Sequence, residues 1–316
     1  MNNINTGTAS GKPAKKEKVD VHGWLVLDKP VGMTSTHAVS IAKRLFRAKR
    51  AGHAGTLDPL ASGLLPIAFG EATKTVPFVM EGRKRYVFTV RWGEERDTDD
   101  SEGSVTQRSD ERPSAAAIRG VMSRFVGQIE QTPPRYSAIK VAGERAYDLA
   151  RDGELVELAP RPAEVHWLDI ASAPDAGHTV FTAECGKGTY VRALARDMGR
   201  ALGCFGHVSA LRRTAVGPFR EEHARSLDAI ETASAKEDSV PGEYLLPVEA
   251  GLAELPSLRV SSADAGRLAR GQSVLLRGRD APVLAGWAYI RSQGSVLALV
   301  EVEQGTIKPR RVFNIR

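Results

Sequence analysis

The chain has 316 residues, 42% of them hydrophobic, which suffices for one large domain or two ordinary ones with a sizeable core. Its 44 Lys and Arg residues exceed its 38 Asp and Glu residues, and this net charge of +6 favours a polyanionic partner, nucleic acid above all. Cys185 and Cys204 are the only cysteines, too few for a disulfide scaffold or a cysteine-rich zinc ribbon. No stretch has the apolar length of a membrane span or the apolar core of a signal peptide, so we expect a cytoplasmic protein.

The N-terminal half predicts a tail followed by alternating strands and helices. Residues 1–20 are polar and rich in lysine, which is typical of a disordered tail. A short apolar run predicts a strand over 23–30, and apolar residues at helical spacing predict a helix over 36–49. Alternating apolar and polar residues predict a strand over 85–92, and apolar residues on one stripe predict a helix over 114–126.

The C-terminal half predicts a second, smaller domain. A strand over 181–185 and an amphipathic helix over 191–202 precede a stretch at 232–256 where Ala, Ser, Glu, Pro and Gly accumulate. A short helix and several β-like runs separated by Gly and Asp turns come after it. These predicted elements are the helix 262–270, closed by Gly271, and the runs 274–276, 283–290 and 296–302. We therefore predict a small β-rich terminal domain.

Asp58 is the one carboxylate in an otherwise uncharged and largely apolar run, residues 52–66. The proline after it disfavours a helical conformation for Asp58 but suits the first position of a helix. We therefore predict a loop at the mouth of a helix that Leu60, Leu64 and Leu65 pack. A carboxylate in apolar surroundings resists ionisation unless a cation or hydrogen bonds favour the charged form, and catalytic carboxylates are often built this way. Taken by itself, the segment favours a simpler role for Asp58 as a helix N-cap.

Six segments in one order resemble the bacterial tRNA pseudouridine synthases of the TruB type. The segments are 23–35, 52–74, 84–86, 131–147, 187–192 and 211–214. The resemblance extends from about residue 21 to the C-terminus. It implies an α+β fold: a mixed, mainly antiparallel sheet with flanking helices over 21–245, and a small β-rich, PUA-like RNA-binding domain over 246–316.

The resemblance implies a specific reaction and a specific partner. The reaction isomerises uridine 55 in the T-loop of tRNA to pseudouridine, by breaking the N1–C1′ bond, rotating the base and rejoining it through C5. Neither a metal nor another cofactor is needed. The expected partner is the T-arm of tRNA, with no membrane, no obligate protein partner and a monomeric enzyme.

The resemblance assigns the central roles in the active site to three residues. Asp58 matches the catalytic aspartate, and Arg192 matches the arginine that pairs with it, since a guanidinium can hold a carboxylate bidentately. Tyr86 matches the aromatic residue that stacks on the extruded target base. Without the resemblance, Arg192 reads as a surface residue at a helix start and Tyr86 as an aromatic residue of a strand core.

Five further residues are assigned to the site by the same resemblance. Tyr190 matches a second tyrosine of the pocket, and Leu211 an apolar wall of the uracil site. His53 would occupy the gap left by the flipped base, although a loop histidine bonded to the backbone is the alternative. Lys29 and Lys74 would face the pocket or the phosphates.

Two charged stretches outside these motifs have simpler interpretations. The acidic residues 97–103 lack the spacing of a calcium loop and favour a solvated turn, although the resemblance places this loop near the substrate, where Asp97 or Asp99 would help to order it. In the terminal domain, Lys308, Arg310 and Arg311 would suit backbone phosphates, and an inert stabilising domain is the alternative.

Two other functions compete with tRNA modification. One is a synthase for rRNA or another RNA, which acts inside a ribonucleoprotein particle and needs partner proteins. The bacterial style of the terminal domain and the lack of long basic extensions count against it. The other is an RNA-binding or RNA-folding module without chemistry. The joint presence of Asp58 and Arg192 counts against that, since binding alone gives little reason to sequester a carboxylate near phosphates.

Overall fold

The computed structural model describes residues 17–137, 139–141, 144–145, 158–237, 242–276 and 284–315. Most of the predicted tail, part of the 131–147 segment and the start of the predicted 283–290 run lie outside these ranges. At the end of the tail, Val19 pairs with Ala48, so the folded part begins before residue 20. No helix among the described residues is long and apolar enough to cross a membrane.

The described ranges contain more strands than helices. The strands are β1 (Gly23–Lys29), β2 (Ala51–His53), β3 (Ser62–Phe69), β4 (Lys84–Trp92), β5 (Glu94–Arg96), β6 (Val105–Arg108), β7 (Gly127–Gln131), β8 (Lys140–Val141), β9 (Glu144–Arg145), β10 (Arg161–Asp175), β11 (His178–Cys185), β12 (Gly206–Val216), β13 (Phe219–Arg220), β14 (Arg225–Ser226), β15 (Ser257–Arg259), β16 (Val274–Leu275), β17 (Gly286–Ser292), β18 (Ser295–Glu303) and β19 (Thr306–Val312). The α-helices are α1 (Ser35–Leu45), α2 (Val76–Glu81), α3 (Ala115–Met122), α4 (Val191–Ala201), α5 (Leu227–Glu237) and α6 (Ser262–Ala269).

One large sheet organises the first domain. Its strand order is β14-β1-β3-β12-β4-β11-β10-β7, with β2 beside β3 and β13 beside β12. The β1–β14 and β3–β12 pairs are parallel, and the other pairs of this sheet are antiparallel. The expected mixed, mainly antiparallel sheet is thus confirmed. The long strands β10 and β12 were not predicted.

Both faces of the sheet are covered. Ala42 of α1, Ile118 of α3 and Leu194 of α4 belong to the core on one face. The core on the other face contains Val79 of α2 and also Leu299 of the C-terminal domain. Strands that are buried on both faces read as continuous apolar runs rather than as alternating ones.

This double burial explains why the predicted helix after Asp58 is wrong. The chain makes only a short turn at 59–60 and then enters β3. Leu64 packs in the core that contains Val79, and Leu65 packs in the core on the opposite face, as neighbours on a strand do. Periodicity alone does not separate a short buried strand from a buried helix. The N-cap role for Asp58 is wrong with it, since no helix starts there.

Helix α1 ends four residues earlier than predicted. Arg47 adopts a left-handed conformation with φ of 52°, its N–H donates to the Arg44 carbonyl, and the Ala48 N–H donates to the Lys43 carbonyl. This pair of bonds is a Schellman motif, whose left-handed position glycine usually occupies. Because arginine stands there, the sequence carries no stop signal. The predicted β1, β4, α3, α4 and α6 are present, with α3 ending at Met122.

A separate β domain follows at the C-terminus, as predicted. Five strands pair in the order β15-β17-β18-β19-β16, and Leu268 of α6 packs with Ile290 and Val300 in their core. The sheet begins at Ser257, whereas Leu246 still pairs with Trp24 of β1. The strand β19 lay outside the predicted runs.

The close approach of β3 and β12 requires glycine at position 63. Gly63 has φ of +99°, and an added Cβ would overlap the Arg213 carbonyl. We expect Gly63→Ala to lower the free energy of unfolding by at least about 2 kcal/mol, measured by urea denaturation. Gly120→Ala is the control, because its Cβ would meet nothing within 4 Å on the exposed face of α3, and a helical alanine stabilises by up to about 1 kcal/mol. Equal effects of the two changes would contradict the tight packing.

Candidate active site

Asp58 lies on a loop that its neighbours hold in place. The hydroxyl of Ser35 donates to the Leu57 carbonyl at 2.9 Å and accepts from the Leu57 N–H at 2.8 Å. The Gly32 N–H donates to the Pro59 carbonyl at 2.8 Å. The loop is therefore fixed on both sides of Asp58, whose side chain is 33% exposed and open to a ligand.

Arg192, at the start of α4, contacts this carboxylate. Its Nε lies 2.9 Å from Oδ2 of Asp58, and its side chain is only 6% exposed. Its Nη1 donates to the Thr98 carbonyl and its Nη2 to the Tyr136 carbonyl, both at 2.9 Å. The surface alternative for Arg192 is therefore wrong. The bidentate grip is also absent, because Nη1 and Nη2 donate to backbone carbonyls and Nε contacts Asp58 as an ion pair without the geometry of a hydrogen bond.

The charge of Asp58 acts on two tyrosines. Burial raises the pKa of Tyr86, on β4, and Arg213 opposes this shift while Asp58 adds to it. Burial also raises the pKa of Tyr190, and Asp58 again adds to the shift. The backbone of Tyr190 is clamped by the Gln131 amide, which donates to its carbonyl and accepts from its N–H. Both phenols thus stay protonated beside Asp58.

Lys29 is fully buried at the end of β1. Its ammonium donates to the carbonyls of Pro30 at 2.8 Å and Met33 at 2.7 Å, and so fastens the loop that contacts Pro59. Burial lowers the pKa of Lys29 to about 8, and the Asp58 carboxylate opposes this shift. The structure therefore places Lys29 near the Asp58 loop, and its predicted role towards the pocket or the phosphates stays a prediction.

Leu211 and His53 also lie on strands around Asp58. Leu211 is buried on β12, opposite Phe88 of β4, and belongs to the same core. His53 is the last residue of β2, opposite Ile67 of β3, and the chain leads from it directly into the Asp58 loop. His53 thus lies on a strand rather than on a loop.

Lys74 does not face the Asp58 pocket, so this part of its prediction is wrong, whereas a contact with phosphates stays a prediction. Its ammonium contacts Glu71, donates to the Val312 carbonyl at 2.7 Å and lies 5.7 Å from the centre of the Phe313 ring. These contacts join the first domain to the C-terminal segment, so Lys74 has a structural role. Two basic residues of the C-terminal domain are also paired: Lys308 with Glu303 and Arg310 with Glu301. The glutamates offset the positive charge of the two side chains that were expected to bind phosphates.

The sequence interpretation missed Arg213, which is only 2% exposed on β12. Its guanidinium donates to the carbonyls of Gly55, Thr56 and Leu64 at 2.9–3.2 Å, and so holds both ends of the Asp58 loop. The available signal was the alternation of β12, which places Arg213 on the same side of the strand as Leu211.

Asp99 and Asp100 of the acidic loop are buried, although Ser101 and Glu102 beside them are exposed, so the predicted solvated turn is wrong for these two carboxylates. Oδ2 of Asp100 lies 3.6 Å from Nη1 of Arg192, and Oδ2 of Asp99 lies 2.8 Å from Nη1 of Arg196. One turn further along α4, Arg200 donates twice to Glu95 of β5 at 2.7 Å. Arginines at four-residue spacing share one face of a helix, so the row of arginines was readable in the sequence, whereas their partners were not.

Comparison with known proteins identifies the family. The TruB family pseudouridylate synthase N-terminal domain matches residues 43–191, and the tRNA pseudouridylate synthase B C-terminal domain matches 192–253. The chain is 62% identical to "tRNA pseudouridine synthase B" of Rhodopseudomonas palustris over 99% of its length and 86% of the relative's. It is 64% identical to the protein of that name from Bradyrhizobium diazoefficiens, over 96% of this chain and 89% of that one.

The chain belongs to the TruB family of pseudouridylate synthases. It is therefore an isomerase that makes pseudouridine in tRNA. Among solved structures, this TruB-family chain is similar to one in a Cbf5-Nop10-Gar1 complex, with a TM-score of 0.72 and 25% identity over 92% of this chain and 84% of that one. A chain in an H/ACA RNP bound to a substrate RNA matches equally well, over 93% and 86%.

The lowered pKa of Lys29 makes the stability of this TruB-family chain depend on pH. Unfolding restores the pKa from about 8 to 10.5, so between these values the unfolded state binds more protons and the free energy of unfolding rises with pH. Lys29→Met should reduce this slope by up to about 1 kcal/mol per pH unit between pH 8 and 10. Urea denaturation at several pH values measures it. Lys84, whose pKa is also about 8, leaves a residual slope, and equal slopes in both proteins would contradict the assignment.

Proposed function

We propose that this TruB-family enzyme isomerises uridine 55 in the T-loop of tRNA and that Asp58 is its catalytic carboxylate. The observation that carries the proposal is the 2.9 Å contact between Oδ2 of Asp58 and Nε of the buried Arg192. The carboxylate remains one-third exposed, although its partner is sequestered. A group that reacts with a ligand needs this accessibility, whereas a purely structural ion pair does not.

The charges around Asp58 suit an RNA substrate. The buried cations Lys29, Arg192 and Arg213 lie around the loop, and they offset the repulsion between a carboxylate and incoming phosphates. Isomerisation of uridine breaks the N1–C1′ bond and forms a C5–C1′ bond, while C5 loses a proton and N1 gains one. A positioned carboxylate supplies the nucleophile or base that this exchange requires.

The uracil must leave the stacked loop to reach Asp58. In our proposal the ring of Tyr86 stacks on the extruded base, Tyr190 and Leu211 line the remaining walls, and His53 fills the gap in the RNA. An aromatic face offsets part of the stacking that the base loses. Leu211 is nearly buried beside Phe88, which supports its assignment as a rigid apolar wall.

We further propose that the enzyme acts alone, as a cytoplasmic monomer on the T-arm. The support is the identity of 62–64% to relatives named tRNA pseudouridine synthase B, against 25% to the chains of the H/ACA structures. The catalytic domain would comprise residues 21–245, and residues 246–316 would form a PUA-like domain that contacts RNA.

Asp58→Asn tests the catalytic assignment. The variant should form no pseudouridine on unmodified tRNA, while its affinity for tRNA should change by only a small factor, because phosphate contacts dominate binding. Pseudouridine mapping and filter binding measure the two properties. A tRNA with cytidine at position 55 is the control substrate and should remain unmodified. Turnover by Asp58→Asn would refute the catalytic role, and modification only elsewhere or only in rRNA would refute the substrate.

Tyr86→Leu tests the stacking role. It keeps apolar bulk without an aromatic face, so turnover should fall while the melting temperature changes little. Tyr86→Phe should fold normally, because it keeps the aromatic ring and loses only the hydroxyl near Arg213. Phe88→Leu is the matched control on the same strand, and since Phe88 is buried, it should lower the melting temperature instead. Native turnover in Tyr86→Leu would make Tyr190 the better candidate for stacking.

A further inference from the structure

A second buried ion pair lies one helical turn from Arg192. Nη1 of Arg196 contacts Oδ2 of Asp99 at 2.8 Å, and both side chains are 7% exposed. The remaining nitrogens of Arg196 are also engaged, since Nη2 donates to the Thr132 carbonyl at 2.7 Å and Nε to Asp197 at 2.8 Å. A buried pair with this many bonds has a defined geometry rather than a diffuse attraction.

Arg196 braces the same two segments that hold Arg192. In the acidic loop, Arg192 binds the Thr98 carbonyl and Arg196 binds the adjacent Asp99. In the segment after β7, Arg192 binds the Tyr136 carbonyl and Arg196 binds the Thr132 carbonyl. Every backbone carbonyl that orients the guanidinium of Arg192 is therefore on a segment that Arg196 also fixes.

Asp99 stands between the two loop residues that contact Arg192. It follows Thr98 and precedes Asp100, whose carboxylate lies 3.6 Å from Nη1 of Arg192. Asp99 has φ of 61°, a left-handed conformation that aspartate adopts more readily than most residues. Its carbonyl accepts from the Val208 N–H at 3.1 Å, which ties it to β12. A shift of Asp99 would thus move both neighbours against Arg192.

We propose that the Arg196–Asp99 ion pair is a positioning device that keeps Arg192 aligned with Asp58. The inference rests on the proposed function of Asp58. Arg196 and Asp99 are positioning residues, because they act through Arg192.

The pair titrates in an accessible range. Burial raises the pKa of Asp99 from 3.8 to about 6, the cations Arg196 and Arg192 of α4 oppose this, and Glu95 of β5 and Asp197 of α4 add to it. Below pH 6 Asp99 becomes neutral, and Arg196 keeps only its contacts with Thr132 and Asp197. Wild type then resembles a variant with a neutral amide at position 99.

Asp99→Asn provides the test, because it removes the charge and keeps the shape. We expect its single-turnover rate of pseudouridine formation to be about tenfold lower than wild type at pH 7.5, with KM for tRNA within twofold. The ratio of the two rates should fall towards one at pH 5, with a midpoint near pH 6. Any pH dependence that both proteins share cancels in this ratio.

Arg200→Gln is the matched control. Arg200 pairs with Glu95 one turn further along α4 and braces the same hairpin, β5–β6, but its bonds go to Glu95 rather than to the segments beside Arg192. Its rate should stay within twofold of wild type at every pH, with a melting temperature lowered about as much as in Asp99→Asn. A second variant, Arg196→Lys, keeps a cation beside Asp99 but lacks the second guanidinium nitrogen that donates to the Thr132 carbonyl. It should be slower than wild type and keep the midpoint near pH 6.

A rate ratio that does not change with pH would overturn the proposal, and so would an equal loss of rate in Arg200→Gln. If Asp99→Asn does not fold, native rate and native pH profile in Arg196→Lys would overturn it instead. Failure of the proposed function is distinguishable, because either wild type would then form no pseudouridine at position 55 or Asp58→Asn would retain turnover.

Discussion

The buried guanidinium of Arg192 is the constraint around which the site is arranged. A buried charge is costly unless acceptors surround it. Here the acceptors come from the Asp58 loop, from Thr98 and Asp100 of the acidic loop, and from Tyr136. The ion pairs and hydrogen bonds of this one side chain therefore hold three distant segments at the start of α4. The candidate carboxylate is fixed as a consequence of this requirement.

The central strands supply the second half of the arrangement. Gly63 lets β3 approach the backbone of β12, and Arg213 of β12 then reaches the carbonyls of Gly55 and Thr56. Tyr86 faces Arg213 across the β12–β4 pair. The same arginine thus sets the loop and the phenol relative to each other. Rigid strands position such groups more accurately than loops do.

The cations of the site have two functions that the fold combines. Lys29, Arg192 and Arg213 each donate to backbone carbonyls, and each lies near Asp58 or its loop. They satisfy otherwise unpaired carbonyls of irregular segments, which lack a partner in the sheet. They also make the site positive where an RNA backbone would approach. The basic composition is therefore partly structural.

The sequence by itself predicted the elements β1, β4, α1, α3, α4 and α6, the α+β class, and Asp58, Arg192, Tyr86, Tyr190 and Lys29 as site residues. These follow from short-range patterns and from motifs that resemble a family. Only the tertiary structure decided that β3, not a helix, follows Asp58, because burial on both faces removes the alternation that marks a strand. It also decided that Lys74 binds the C-terminal segment, and that Asp99 and Asp100 are buried. Partners in these contacts are far apart in sequence, and a charge shows no sign of being solvated or paired until its partner is in place.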